Sequence, residues 1–186
     1  MSEAVNKKQE KPKKTVKQEI ISWILTLAAA VAIALVIRSF LFIPVMVKGE
    51  SMQNTLMNRE IVIATKPEIL AGNFEHDEIV ICHYPGRGST LFVKRLVGLP
   101  GDTLEIREGV LIRNGEEVDE SDMDSMNRSY ASMAPLTLGE DEFFVMGDNR
   151  GNSNDSRAVG PLTRSQIVAH VQRVVWPLSK FWQKAE

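Results

Sequence analysis

The chain has one cysteine, three histidines and almost no charge imbalance among its 186 residues. A lone Cys82 rules out an intrachain disulfide, so cysteine usage is silent about redox compartment. Set in the apolar run "EIVICHYP", it reads as a small buried strand residue. His76, His83 and His170 stand far apart and outside any motif, which leaves no metal-ligand spacing; neither a metal nor another cofactor is expected. With 22 basic against 24 acidic residues, the formal charge of −2 gives no electrostatic reason for a nucleic-acid partner. Internal repeats are missing, and past the first forty or so residues no stretch has helical periodicity.

What is present begins with a charge asymmetry. Lys7, Lys8, Lys11, Lys13, Lys14 and Lys17 crowd the first nineteen residues beside Glu3, Glu10, Glu19 and Pro12, a composition that reads as a disordered basic tail over 1–19. Residues 20–37, "IISWILTLAAAVAIALVI", carry no charge and only two hydroxyls. As a helix they would span about 27 Å, close to the hydrocarbon thickness of a bilayer. The small residues of "AAAVAIA" would also suit a cleavable export signal, but the apolar run continues beyond them to Arg38, as an uncleaved anchor does. By the positive-inside rule the tail is cytoplasmic and residues 38–186 lie on the far side of the plasma membrane.

Those remaining residues have room for one domain with a real core. "PVMVKG", "EIVIATK", "EIVICHY" and "TLFVKRLVGL" are short and apolar, and "DTLEIREGVLIRNGEEV" contains two Gly-bearing turns, Glu108-Gly109 and Asn114-Gly115. Strands broken by turn chemistry predict an all-β domain, with "EFFVMGD" and a long, bent "QIVAHVQRVVW" as later strands. Residues 119–135, polar and turn-rich, read as an exposed insertion. The ending "WPLSKFWQKAE" suits a packed strand end or the lipid interface, and packing is the reading favoured.

Three places could carry chemistry. Ser51, in "VKGESMQNTL", is a turn residue unless a base within hydrogen-bond reach activates its hydroxyl. Lys94, in "LFVKRLVGLPGD", interrupts an apolar strand and is followed by Arg95, so alternation sends one cation inward and the other to solvent. A lysine held among Phe92, Val93 and Leu96 loses hydration and with it basicity, as a general base near neutral pH must; the same pattern also fits a lysine snorkelling from a sheet edge. The third, "GDNRGNSNDSR" (147–157), is by itself a structured turn whose acids can pair with Arg150 or Arg157.

In this order the three segments resemble the type I signal peptidases, membrane-anchored serine proteases with a complex β-fold shared with LexA-like proteins and one N-terminal transmembrane helix. The resemblance implies Ser51 as nucleophile, Lys94 as general base, Ser153 as the hydroxyl that orients the lysine, and Asp148, Asp155 and Arg157 as supports. It implies shallow apolar substrate pockets around Val45, Val47, Met52, Leu56, Phe92 and Val93, and cleavage of the signal peptides of exported preproteins after small residues, as in A-x-A. The Ser51 N–H would serve the oxyanion hole. Gly49, two positions before the serine, looks like the Gram-positive branch; Glu50 and Asn54 replace the glycine and proline common in the motif, and His76 replaces a glycine before Asp77. Two other functions compete: a catalytically inactive, membrane-anchored peptide-binding domain, and a LexA-type self-cleaving protein with Ala71-Gly72 as its dipeptide.

Overall fold

A computed structural model of the chain describes residues 15–66, 71–121, 128–181 and 184–185. The basic tail expected over 1–19 therefore lies, up to residue 14, outside the described residues. The chain divides into two compact units at Ser39/Phe40. Helix α1 runs from Val16 to Leu41, about 39 Å at 1.5 Å per residue, and makes up the described part of the first unit. Its segment Val16–Val36 has a mean hydropathy of 2.3 and no residue of it is buried among the described residues, so by length and composition it can cross a membrane. The Thr26 hydroxyl is satisfied within the helix, donating to the Ser22 carbonyl at 2.8 Å.

In the second unit the described residues form eleven strands: β1 (Phe42–Met46), β2 (Ile61–Thr65), β3 (Ile79–His83), β4 (Leu91–Gly98), β5 (Thr103–Arg107), β6 (Val110–Arg113), β7 (Glu116–Glu117), β8 (Met133–Thr137), β9 (Glu142–Met146), β10 (Leu162–Thr163) and β11 (Ile167–Trp176). A seven-stranded sheet has the order β1-β2-β11-β3-β4-β9-β10, and a four-stranded one the order β7-β6-β5-β8. A four-residue α-helix, α2 (Ser156–Val159), lies between β9 and β10. Both expected hairpin turns form with positive φ at each central residue, 47° and 87° at Glu108-Gly109 and 56° and 88° at Asn114-Gly115, the twist that two-residue hairpins require.

The core explains why β3 is continuously apolar. Ile79 and Ile81 point into a cluster with Val62, Ala64, Val171 and Val174, while Val80 and Cys82 point to the opposite side, among Tyr84, Leu96, Val145 and Ile167. A strand buried on both faces has no polar alternation to display. A third cluster, with Val97, Leu104, Leu111 and Phe144, joins the small sheet to β4 and β9.

Two segments differ from the sequence reading. β8 begins at Met133, inside the insertion expected over 119–135 (of which 122–127 lie outside the described residues), and pairs with β5. "MAPLT" hides a strand because Pro135 is tolerated on it, β8 being the edge of its sheet. At the C-terminal end, where packing was expected, Trp176, Leu178 and Phe181 are 51 to 68% exposed; Trp182 lies outside the described residues. β11 is bulged between Val174 and Trp176, so Val174 faces the core and Trp176, two residues on, faces outward. A strict two-residue period cannot anticipate that reversal.

Candidate active site

Ser51 sits in the loop between β1 and β2, held by the Gln53 N–H donating to the Glu50 carbonyl (3.0 Å) and the Leu56 N–H to the Met52 carbonyl (2.8 Å). Met52 and Leu56, 1% and 0% exposed, anchor this turn in the core, so the serine between exposed Glu50 and buried Met52 is rigidly based yet only half-buried. Asn54 takes the left-handed conformation, φ 84°, which asparagine adopts more readily than most residues and which proline, with φ fixed near −65°, cannot. That is a local reason for asparagine at this position.

Lys94 reaches the same point from β4. Its Nζ lies 2.5 Å from Ser51 Oγ, and the residue is 2% exposed. It shares its strand face with Phe92 and Leu96, which pack in the second cluster with Cys82 and Tyr84. Burial is the largest influence on its amine and pushes its pKa below the ordinary lysine range, against the opposing pull of Asp155 and Asp148. The same burial raises the Cys82 thiol to about 12, so it stays protonated beside the lysine. No histidine takes part: His76 bonds Asp102 (2.6 Å), His83 the Thr90 carbonyl (3.1 Å), and His170 faces Glu78 (3.6 Å).

The loop 147–157 closes the site from behind. Gly147 is packed so tightly that a Cβ there would lie 2.2 Å from Ser153 Oγ and 2.4 Å from the Ser51 carbonyl oxygen, which only glycine permits. The Asn149 N–H donates to that Ser51 carbonyl at 3.0 Å, which fixes the peptide that follows the serine. Asp148 ties three segments together. Arg95 donates to it through a two-pronged fork (2.8 and 2.7 Å), and the Thr55 hydroxyl, from the nucleophile loop, donates at 2.6 Å. Asp155, fully buried, caps α2 and receives Arg157 through a second fork (2.8 Å twice) and the Gly147 N–H (3.0 Å). Burial alone would raise its pKa, but the Arg157 fork and the Gly147 N–H together hold the carboxyl below its usual range. Ser153 Oγ is buried and has hydrogen-bond geometry with no partner, so the contact to the lysine amine implied by the resemblance is not made here.

The structure thus brings together Ser51, Lys94, Gly147, Asp148 and Ser153, with Asp155 and Arg157 beside them. Arg95 was expected in solvent; instead it is mostly buried on Asp148, while Arg150 pairs with Glu120 (2.6 Å) and donates to the Gly147 carbonyl (3.0 Å). The available signal was a second cation inside an apolar strand, which needs a buried acid if it does not reach water. Among the residues expected around substrate pockets, Val47, Met52 and Leu56 are core, whereas Val45, Phe92 and Val93 are half-buried.

Two free strand edges flank this site. β1 ends the large sheet, and β4 pairs with β9 only from Arg95 onward, leaving Leu91–Lys94 unpaired on that side. A serine beside a buried lysine of lowered pKa, between two strand edges, has the groups that a serine peptidase needs to activate its nucleophile. The model of the family described as "Signal peptidase, peptidase S26" matches residues 20–176, and the chain belongs to that family. Similar relatives include Signal peptidase I P of Bacillus subtilis subsp. natto, 39% identical over 88% of this chain and 92% of the relative. Signal peptidase I S of Bacillus subtilis (strain 168) is 36% identical over 88% and 93%, and Signal peptidase IB of Staphylococcus aureus (strain COL) is 32% identical over 89% and 94%. A crystal structure of a signal peptidase I from Enterococcus faecalis V583 matches with a TM-score of 0.46 at 30% identity, covering 53% of this chain and 96% of that one.

Proposed function

We propose that this protein cleaves the N-terminal signal peptides of exported preproteins after small residues, with Ser51 as nucleophile and Lys94 as general base. The observation that carries the reading is the 2.5 Å approach of a 2% exposed lysine amine to the serine hydroxyl. Neutral Lys94 takes the Ser51 proton as Oγ attacks the scissile carbonyl, and the oxyanion that forms is met by the Ser51 N–H. Collapse of the tetrahedral intermediate expels the amine of the mature protein, which takes its proton from Lys94, and leaves an acyl-enzyme on Ser51. Water, deprotonated by the again neutral Lys94, then hydrolyses the ester. No cofactor enters any step.

The other residues support this pair. Ser153, buried and unpartnered beside Gly147, is the hydroxyl free to bond the lysine amine as it loses its proton. Asp148 and Asp155, each neutralised by an arginine fork, hold the loop without placing an uncompensated charge beside the base. An extended peptide would add to the free edges of β1 and the first half of β4, with small side chains facing Val45, Phe92 and Val93. The family match and the intact pair disfavour an inactive binding domain and LexA-type self-cleavage.

Location follows from the anchor. Helix α1 holds the chain in the plasma membrane, the lysine-rich tail stays cytoplasmic and the catalytic unit works outside. About thirteen residues separate the apolar run from Ser51, at most ~40 Å fully extended, so the site lies near the bilayer surface where a signal peptide's cleavage site emerges. Exposed Phe42, Met46 and Trp176 support bilayer contact by the catalytic unit itself; register aligns Met46, Ile61 and Trp176 on one outer face.

The test is cleavage of a preprotein bearing an A-x-A site by full-length protein, compared with Ser51→Ala and Lys94→Ala. Wild type is expected to release the mature product and both variants to fall by roughly 10⁴-fold. An inert wild type, or full activity in either variant, overturns the reading.

A further inference from the structure

The loop that carries Ser51 is closed at its base where Val47 meets Arg59 and Glu60. The Val47 N–H donates to the Glu60 carbonyl and the Arg59 N–H to the Val47 carbonyl, both at 2.8 Å, which pins the two ends of the loop together. The Glu60 side chain does the same from inside: it is 3% exposed, and its Oε2 accepts the Met57 N–H at 3.0 Å. That leaves a buried carboxylate with one hydrogen bond from its own loop. The second oxygen, Oε1, is met at 2.8 Å by Lys180 Nζ. Lys180 is the last residue of a short 3-10 helix, Leu178–Lys180, that follows β11 near the C-terminal end. Among the described residues it is the only cation paired with Glu60, and neither group touches Ser51 or Lys94.

We propose that Lys180 is a positioning residue for the nucleophile: from the C-terminal turn it neutralises Glu60 and thereby holds the 47–60 loop in its working geometry. The inference rests on the reading of Ser51 as nucleophile. A buried carboxylate stripped of its only cation must find water or another donor. The cheapest way is for the loop to lift from the core at Met57–Glu60. Leu56 and Met52 are hydrogen-bonded to each other and packed in one cluster, so a displacement at Met57 passes to Met52 and its neighbour Ser51. The 2.5 Å contact to Lys94 tolerates little of it. Reacting groups misplaced by about 1 Å lose as much as ~100-fold in rate. The C-terminal turn is then part of the catalytic unit even though it contributes nothing to the chemistry.

The experiment uses the full-length protein in detergent with a preprotein substrate, comparing wild type with Lys180→Met, Lys180→Arg and the double variant Glu60→Gln with Lys180→Met. Amide hydrogen exchange is followed in the same samples. Lys180→Met is expected to lower kcat roughly 10- to 100-fold with KM changed less than about twofold. Lys180→Arg should recover most of that loss, and the double variant should be faster than Lys180→Met alone because no unpaired charge remains. Exchange should rise within residues 47–60 and stay unchanged in β3, β4 and β9. Wild-type kcat in Lys180→Met, or equal loss in Lys180→Arg, overturns the proposal, as does an exchange increase spread over the whole catalytic unit. Ser51→Ala in the same assay separates the two readings. If it remains active, the nucleophile is misassigned, while the exchange response of the loop still decides whether Lys180 holds it.

Discussion

Burying Lys94 removes its hydration, and the energy is recovered only in part from Asp155 and Asp148, so the amine holds its proton less tightly than an ordinary lysine. That loss makes it a base for Ser51, and it has a consequence for stability whose sign is fixed. Above the lowered native pKa and below the ordinary lysine value of 10.5, the unfolded chain carries a proton that native Lys94 does not. Stability therefore rises with pH through this window. Above about pH 9 the Cys82 thiol opposes the trend, because it ionises in the unfolded chain but is held up to about 12 in the native one. Lys94→Met is expected to flatten the rising limb and leave the decline above pH 9, measured by denaturant unfolding at several pH values. Lys94→Arg, charged at every accessible pH, should be as inactive as Lys94→Met in the cleavage assay. Gly147 supplies a steric test. Its missing Cβ would overlap Ser153 Oγ and the Ser51 carbonyl, so Gly147→Ala should cost about 1–3 kcal/mol by overpacking and depress kcat far more than KM.

Three elements converge on the site: the β1–β2 loop, β4, and the loop leading into α2. Asp148 is where they meet, since it takes Arg95 from β4 and Thr55 from the nucleophile loop. Arg95→Met should destabilise the protein by about 3–5 kcal/mol, because it strands a buried carboxylate, and adding Asp148→Asn should restore a large part. Thermal unfolding of the two variants checks this. Ser51, Lys94 and the 147–157 loop stood out in the sequence as a polar turn before an apolar strand, a cation inside one and a dense Gly-Asn-Asp cluster, each with an ordinary reading of its own; only the family resemblance joined them into one site. The ion pairs that join the elements were not legible there. Arg95 with Asp148, Arg150 with Glu120 and Lys180 with Glu60 connect residues 30 to 120 positions apart, and nothing local distinguishes those acids from solvated ones. The two hairpin turns were legible from Gly and Asn alone, whereas the β11 bulge and the proline-bearing edge strand β8 were not, since both break the periodicity from which strands are read.

At the scale of the whole molecule, an apolar helix and a catalytic β-domain in one chain restrict where chemistry can occur. The outward face with Phe42, Met46 and Trp176 is expected to sit in the lipid headgroups, so nitroxide-labelled lipids should quench Trp176 fluorescence in full-length protein carrying Trp23→Phe and Trp182→Phe. Unquenched emission in anionic and zwitterionic vesicles alike would contradict bilayer contact by this face. The exposed aromatics were visible in the sequence; their orientation was not, because it depends on the bulge that turns Trp176 away from the core. The pairing of Ser51 with a neutral Lys94 is tested most directly by the pH dependence of single-turnover preprotein cleavage in proteoliposomes. The acid limb is expected to follow one group titrating below the ordinary lysine range, with Lys94→Met abolishing turnover and His83→Ala leaving the limb in place. A limb that vanishes with His83→Ala while Lys94→Met still turns over would contradict it.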